Sequence, residues 1–143
     1  MRARAVSGLV FTTLALSGCA AGAPTAEVGE CLDISIDAST VTELSGFDCA
    51  QEHDAEVYFV GLVTGETFDQ LAVAQDAAAQ CREEFERFIG TTYEESVLDI
   101  YYLYPQADSW ENGDREVICA VYTPNKDTGR LMRTTGSLAG AKR

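Results

Sequence analysis

Histidine is nearly absent: His53 stands alone among 143 residues. One imidazole cannot build a centre that needs two, which excludes zincin-type sites and the two-histidine facial triad. Bases are scarce as well, 10 against 23 acids, for a formal charge of −13. Such a surface repels phosphate backbones and anionic headgroups, so nucleic acid and a polybasic grip on lipid are excluded as main modes of binding. No apolar run reaches the roughly 20 residues that span a bilayer. The sequence also holds no G-x-S-x-G nucleophile elbow and no phosphate-cradling glycine loop, so no enzymatic activity is expected.

What is present reads as globular. Apolar residues make up 46% and charged residues 23% of a chain sized for one domain with short tails. The N-terminus reads as a targeting segment. Arg2 and Arg4 precede an apolar stretch, Ala5 to Leu16, that closes on Leu16-Ser17-Gly18-Cys19. This ending resembles the bacterial lipoprotein signal. The resemblance implies cleavage after residue 18, a diacylglycerol on the Cys19 thiol and an acyl chain, such as palmitate, on the new amine. Two or more chains anchor stably where one alone is marginal. The mature chain would carry 8 bases and 23 acids, a net of −15. Residues 19–27 read as lipid anchor and flexible tether, and 28–140 as the folded domain.

Five cysteines occur, at 19, 31, 49, 81 and 119. With Cys19 lipidated, four remain for disulfides outside the cytoplasmic membrane. None of the spacings is a metal knuckle or a C-x-x-C redox pair. Four cysteines allow three connectivities. The expected one is Cys31–Cys49, closing a local loop, with Cys81–Cys119 pinning a helix to a sheet. Both are expected to be structural staples.

Periodicity places the elements. Glu56–Val63 (EVYFVGLV), Val97–Leu103 (VLDIYYL) and Glu116–Thr123 (EVICAVYT) read as strands, with weaker ones over 31–36, 41–49 and 129–134. Residues 68–89 read as a helix. Thr67 and Gln70 form a capping box, Gly90 is the C-cap, and Phe68, Leu71, Ala74, Ala78, Cys81, Phe85 and Phe88 form one apolar stripe. Gln106–Asp114 reads as a polar, turn-rich loop with Asn112-Gly113 as its turn. The predicted class is α+β: a mostly antiparallel sheet with one long amphipathic helix on a face.

With these elements placed, the cysteine frame resembles the actinobacterial septum-formation-related domain family. The matching residues are Val28-Gly29-Glu30-Cys31-Leu32, Cys49 with His53 and Glu56-Val57, then Cys81, then Trp110 and Gly113-Asp114-Arg115 ahead of Cys119. Gly136-Ser137-Leu138 and Gly140 complete the set. Where the family often has proline before the histidine, this chain has Glu52. The resemblance implies an extracytoplasmic, membrane-attached domain of an actinobacterium with a link to division septa. No catalytic residue set comes with it.

Two clusters are candidate binding sites. His53 with Asp54 and Glu56 could hold a metal or act as a base. In an extended chain Asp54 and Glu56 share a face that His53 does not, so packing beside Cys49 with a backbone hydrogen bond is the plainer expectation. Trp110 with Asn112, Asp114 and Arg115 has the composition of a binding anchor on a loop. The plainer reading has Trp110 covering one end of the core and Arg115 paired with a carboxylate. Tyr101, Tyr102, Tyr104, Tyr93 and Trp110 could stack on sugars, but strand alternation splits Tyr101 from Tyr102 and Tyr104. No cofactor is expected. The function expected is a non-catalytic, lipid-anchored binding or scaffold module on the outer face of the cell membrane, meeting envelope or division proteins. The alternative is a small-ligand or metal-binding lipoprotein using the His53 or Trp110 loop.

Overall fold

The structure, a computed structural model, describes residues 23–36, 41 and 43–143. The signal segment 1–18, Cys19 and the first part of the tether lie outside the described residues. In chain order the elements are β1 (Cys31–Leu32), β2 (Glu52–His53), β3 (Ala55–Leu62), α1 (Gln70–Ile89), β4 (Asp99–Leu103), α2 (Ala107–Glu111), β5 (Glu116–Pro124), β6 (Leu131–Met132) and β7 (Thr134–Thr135). A single 3-10 turn, Tyr93–Glu95, follows α1.

The centre of the fold is β5, which pairs antiparallel with β3 on one side and β4 on the other. Strand β1 extends β3, and β6 pairs with β5, in the order β1-β3-β5-β4. Alternation along β5 sorts the core into two layers. Val117, Cys119 and Val121 face α1, while Ile118 and Ala120 face the opposite side. A register shift in β3 between Val57 and Phe59 turns both Tyr58 and Phe59 towards the helix layer. The extra residue of such a bulge breaks the alternation locally. The expected α+β architecture is therefore present, and so are both expected disulfides.

Helix α1 begins two residues later than predicted. Asp69, not Thr67, is the N-cap, and its Oδ1 accepts from Ala72 N at 2.9 Å. A carboxylate satisfies the free N–H and also faces the positive end of the helix dipole. Gly90 closes the helix in the left-handed region at φ 83°, donating from its N to the Glu86 carbonyl. The buried row is Val73, Ala77, Cys81, Phe85 and Ile89. Leu71, predicted to be inside, is 67% exposed. Residues spaced by four form a ridge oblique to the helix axis, which can follow the twist of the strands below. Cys81 bonds Cys119 from the middle of this ridge, with Cα atoms 5.4 Å apart.

The other sheet face is covered by loops. Ala26, Ile34 and Leu44 pack over Leu32, Ala55, Val57, Ile118 and Ala120. Packing thus reaches back into the segment read as tether, while Lys142 N bonds the Ile89 carbonyl at the other end. The weak strands shrink: 31–36 becomes β1 alone, 129–134 becomes β6 with β7 just beyond it, and within 41–49 Phe47 makes an isolated bridge to Cys31. The loop predicted at 106–114 contains α2. Gln106 N donates to Ser109 Oγ at its start, and Gly113 at φ 93° turns the chain out of it. Two polar residues in a favourable capping relation suffice to start such a turn.

Candidate functional site

Strand β2 pairs with β7, Glu52 opposite Thr135 and His53 opposite Thr134. This small second sheet lies beside the β1 end of the main one, and together they gather the polar residues. Cys31 is held on one side by β3. On the other it exchanges both backbone bonds with Phe47, each 2.9 Å. That bridge brings Cys49 to Cys31 for the first disulfide, and Gly136 N donates to the Cys49 carbonyl at 2.7 Å.

His53 is fully buried. Its Nδ1 lies 2.8 Å from the Gln51 carbonyl oxygen, and its Nε2 has no partner among the described residues. It packs beside the Cys31–Cys49 bond, with one ring nitrogen and both sulfurs within 4.8 Å of one another. Glu56 is also buried, and both of its oxygens are taken. Oε1 accepts from Ser137 Oγ at 2.7 Å and Oε2 from Leu138 N at 2.6 Å. Charge-assisted bonds of this length justify burying a carboxylate. Asp54 points elsewhere, accepting from Ile34 N at 3.2 Å and lying 3.6 Å from the Arg133 guanidinium. The three acid–base residues adjacent in sequence therefore serve three separate places. No three-ligand site forms from His53, Asp54 and Glu56.

Between the Gly29–Glu30 turn, Phe47–Cys49 and the Glu56–Ser137 pair opens a cleft of about 610 Å³. Carboxylates line it. Glu30 Oε2 is held by Glu27 N and Asp48 Oδ1 by Ala50 N, which leaves each with one uncommitted oxygen among the described residues. Gly46 lies against the Glu30 carboxylate, and a Cβ there would come within 2.5 Å of it. A side chain there would have to push the Glu30 carboxylate, the movable end of its side chain, aside.

The Trp110 cluster is built differently. Trp110 is 5% exposed and packs its ring against Phe68, 5.7 Å between centroids. The Arg115 guanidinium stacks 3.4 Å above the same ring and donates to the carbonyls of Trp110 and Asp114. The expected carboxylate partner for Arg115 is replaced by these two carbonyls. Asp114 Oδ1 accepts from Glu116 N and closes the turn. With one face under Arg115 and the rest in the core, Trp110 caps the helix layer and offers no free face for a ligand. The tyrosines divide too. Tyr102 and Tyr104 stack at 5.8 Å on the helix side, while Tyr101 belongs to the other layer.

Sequence reasoning missed Arg133 as a centre of the site. It bonds the Glu52 carbonyl and pairs with Asp33, Glu52 and Asp54, stapling β2 to the loop after β1. The scarcity of cations was the available signal, since each base in so acidic a chain has several acids to serve. Elsewhere, Tyr93 donates to Asp99 Oδ1 at 2.6 Å. That hydrogen bond, helped by burial, pushes its pKa up to about 12.

Among the described residues no helix is long and apolar enough to cross a membrane. No curated protein and no solved structure matches the chain. A family described as Septum formation matches residues 28–143, from the turn before β1 to the last residue. That stretch contains both disulfides, the His53 and Glu56 positions and the Ser137–Leu138 turn that answers Glu56, and on this match the chain belongs to the septum formation family.

Proposed function

We propose that this protein is a non-catalytic scaffold of the cell envelope, anchored to the outer face of the membrane through lipid on Cys19. Family membership points to a division-related role at the envelope. The lipoprotein-like ending at Cys19 supports the anchor. The observation that carries the binding role is the acidic cleft beside the first disulfide. Its walls are backbone held by a disulfide, a bridge and the buried Glu56, and the Glu30 and Asp48 side chains line it. A preformed, anionic depression on a mature chain of net −15 suits a lysine- or arginine-bearing segment of a membrane neighbour. Tethering would raise the effective concentration of the two.

The test is in-cell crosslinking and co-purification from membranes. Wild type is compared with Cys19→Ala and with the double variant Glu30→Lys/Asp48→Lys. Division or wall-synthesis proteins enriched by wild type and lost in both variants are the expected result. Enrichment unchanged by charge reversal removes the cleft from the reading. Wild type with no reproducible partner removes the scaffold itself.

A further inference from the structure

We propose that Cys31, Cys49 and His53 form a redox-gated zinc site, closed as a disulfide and metal-binding when reduced. The proposal is independent of the scaffold reading. It starts from an unused atom. The Gln51 carbonyl can only accept, so the 2.8 Å contact places the ring proton on Nδ1 and the lone pair on Nε2. Nε2 is buried and has no partner among the described residues, in a residue that is itself fully buried. A buried acceptor without a donor is rare in a folded protein and calls for a reason. The arrangement is the one a metal-binding histidine adopts, one nitrogen oriented by a carbonyl and the other free for the metal.

The second observation is the pair of sulfurs. Among the described residues, Cys31, Cys49 and His53 are the one group of three whose ligand atoms all lie within 4.8 Å of one another. Two thiolates and an imidazole are a set that Zn2+ prefers, with the fourth tetrahedral position open to water. The frame that holds them does not depend on the disulfide. Cys31 is fixed by β3 and Phe47, Cys49 by Gly136, and His53 by its pairing with Thr134. A route exists as well. Cys31 is fully buried, but Cys49 is half-buried and lines the acidic cleft, through which a cation would be drawn. Among the described residues the Cys81–Cys119 bond has no such neighbours. Both of its sulfurs belong to fully buried residues in an apolar layer.

The chemistry balances with a small dithiol as reductant. One of its thiolates attacks Cys49 Sγ, the accessible sulfur, and Cys31 leaves as thiolate and takes a proton from water. The second thiol of the donor attacks the mixed disulfide, releasing Cys49 and leaving the donor as its own disulfide. Two electrons have then passed from the dithiol to the protein. Zn2+ binds the two cysteines with release of both thiol protons to solvent and takes the lone pair of Nε2.

The experiment uses the full chain in detergent, reduced by a phosphine until alkylation and mass spectrometry show Cys31 and Cys49 free and Cys81–Cys119 intact. Co2+ is added as a spectroscopic probe and displaced by Zn2+. The expected result is one equivalent of Co2+ with a thiolate charge-transfer band and tetrahedral ligand-field bands, and no such bands in the oxidised chain. His53→Gln keeps the near-ultraviolet dichroism of the wild-type disulfide form. After reduction it is expected to bind at least about 100-fold more weakly, beyond the 10- to 100-fold of losing an outer-shell partner. Equal binding by His53→Gln overturns the proposal. So does Co2+ uptake by the oxidised chain, an absence of thiolate bands in the reduced one, or loss of native dichroism in the reduced chain with Zn2+ present.

Discussion

Two disulfides sit about the same Cα distance apart, 5.1 and 5.4 Å, yet they live in different chemistry. Cys81–Cys119 is sealed between α1 and β5 among Phe85, Val117 and Val121. Cys31–Cys49 sits where the small β2–β7 sheet meets the β1 edge of the main one, beside a buried histidine and a buried glutamate and against an open cleft. The same covalent bond is a staple in the first setting. In the second it is the accessible edge of a polar assembly. Environment, not bond type, assigns the role.

The comparison is tested most severely in the dry layer. Phe85 is fully buried and packs edge-on against Tyr58 and Tyr93. Phe85→Ala is expected to cost about 3–5 kcal/mol, the range for emptying a large core site. Chemical denaturation without reductant checks it. A loss below about 1.5 kcal/mol would mean that this layer is not packed as described.

Removing each disulfide as a pair comes next. Loop entropy alone assigns about 4 kcal/mol to the 38-residue closure and about 3 kcal/mol to the 18-residue one. Cys81→Ala/Cys119→Ala is therefore expected to be the less stable variant. The sharper contrast is kinetic. Under limiting reductant, Cys31–Cys49 opens first, followed by timed alkylation and peptide mapping. Simultaneous opening would erase the distinction between the two regions.

A smaller effect probes the polar junction. Glu56→Ala strands the buried Leu138 N–H and frees the Ser137 hydroxyl to solvent, and is expected to cost about 2–3 kcal/mol. Hydrogen exchange reads it locally, with faster exchange at Leu138 than in β5. Equal acceleration in β5 would mean that the junction and the dry layer unfold as one.

The smallest effect is an alkaline one centred on Asp99. Tyr93 is held up to about 12 first by its hydrogen bond to Asp99 and then by burial. A folded pKa above the unfolded value near 10 stabilises fully below pH 10, and that contribution is lost as pH rises through 12. Tyr122, near 12 mainly through burial, also bonds Asp99. Asp99→Asn is expected to bring Tyr93 down further than Tyr122. Tyrosinate absorbance during a pH titration follows both, and an unchanged Tyr93 would deny Asp99 its role.

Legibility followed the range of the interactions. The long strands, α1, Gly90 and both disulfide pairs could be read because periodicity, turn chemistry and loop closure are local or nearly so. The N-cap moved to Asp69 because Thr67 and Asp69 are both competent cappers, and the choice depends on where the chain leaves β3. The exposed Leu71 and buried Val73 were misread for a related reason. A stripe of alternating three- and four-residue spacing and a ridge spaced by four both contain Cys81 and Phe85 and diverge towards the helix start, and only the sheet beneath selects one. Strands as short as β2 and β7 have no periodicity to find.

By itself the sequence determined the acidic character, the cysteine frame, the lipoprotein-like start and the α+β plan, since composition and hydrophobic period act residue by residue. Only the tertiary structure decided which polar groups meet. It separated His53, Asp54 and Glu56, neighbours in sequence, by sending each to a different partner. It then joined His53 to Cys31 and Cys49, and Glu56 to Ser137, 81 residues away. Contacts of that range are set by strand pairing and by the need to satisfy buried polar groups, and neither is written into any local stretch of the chain.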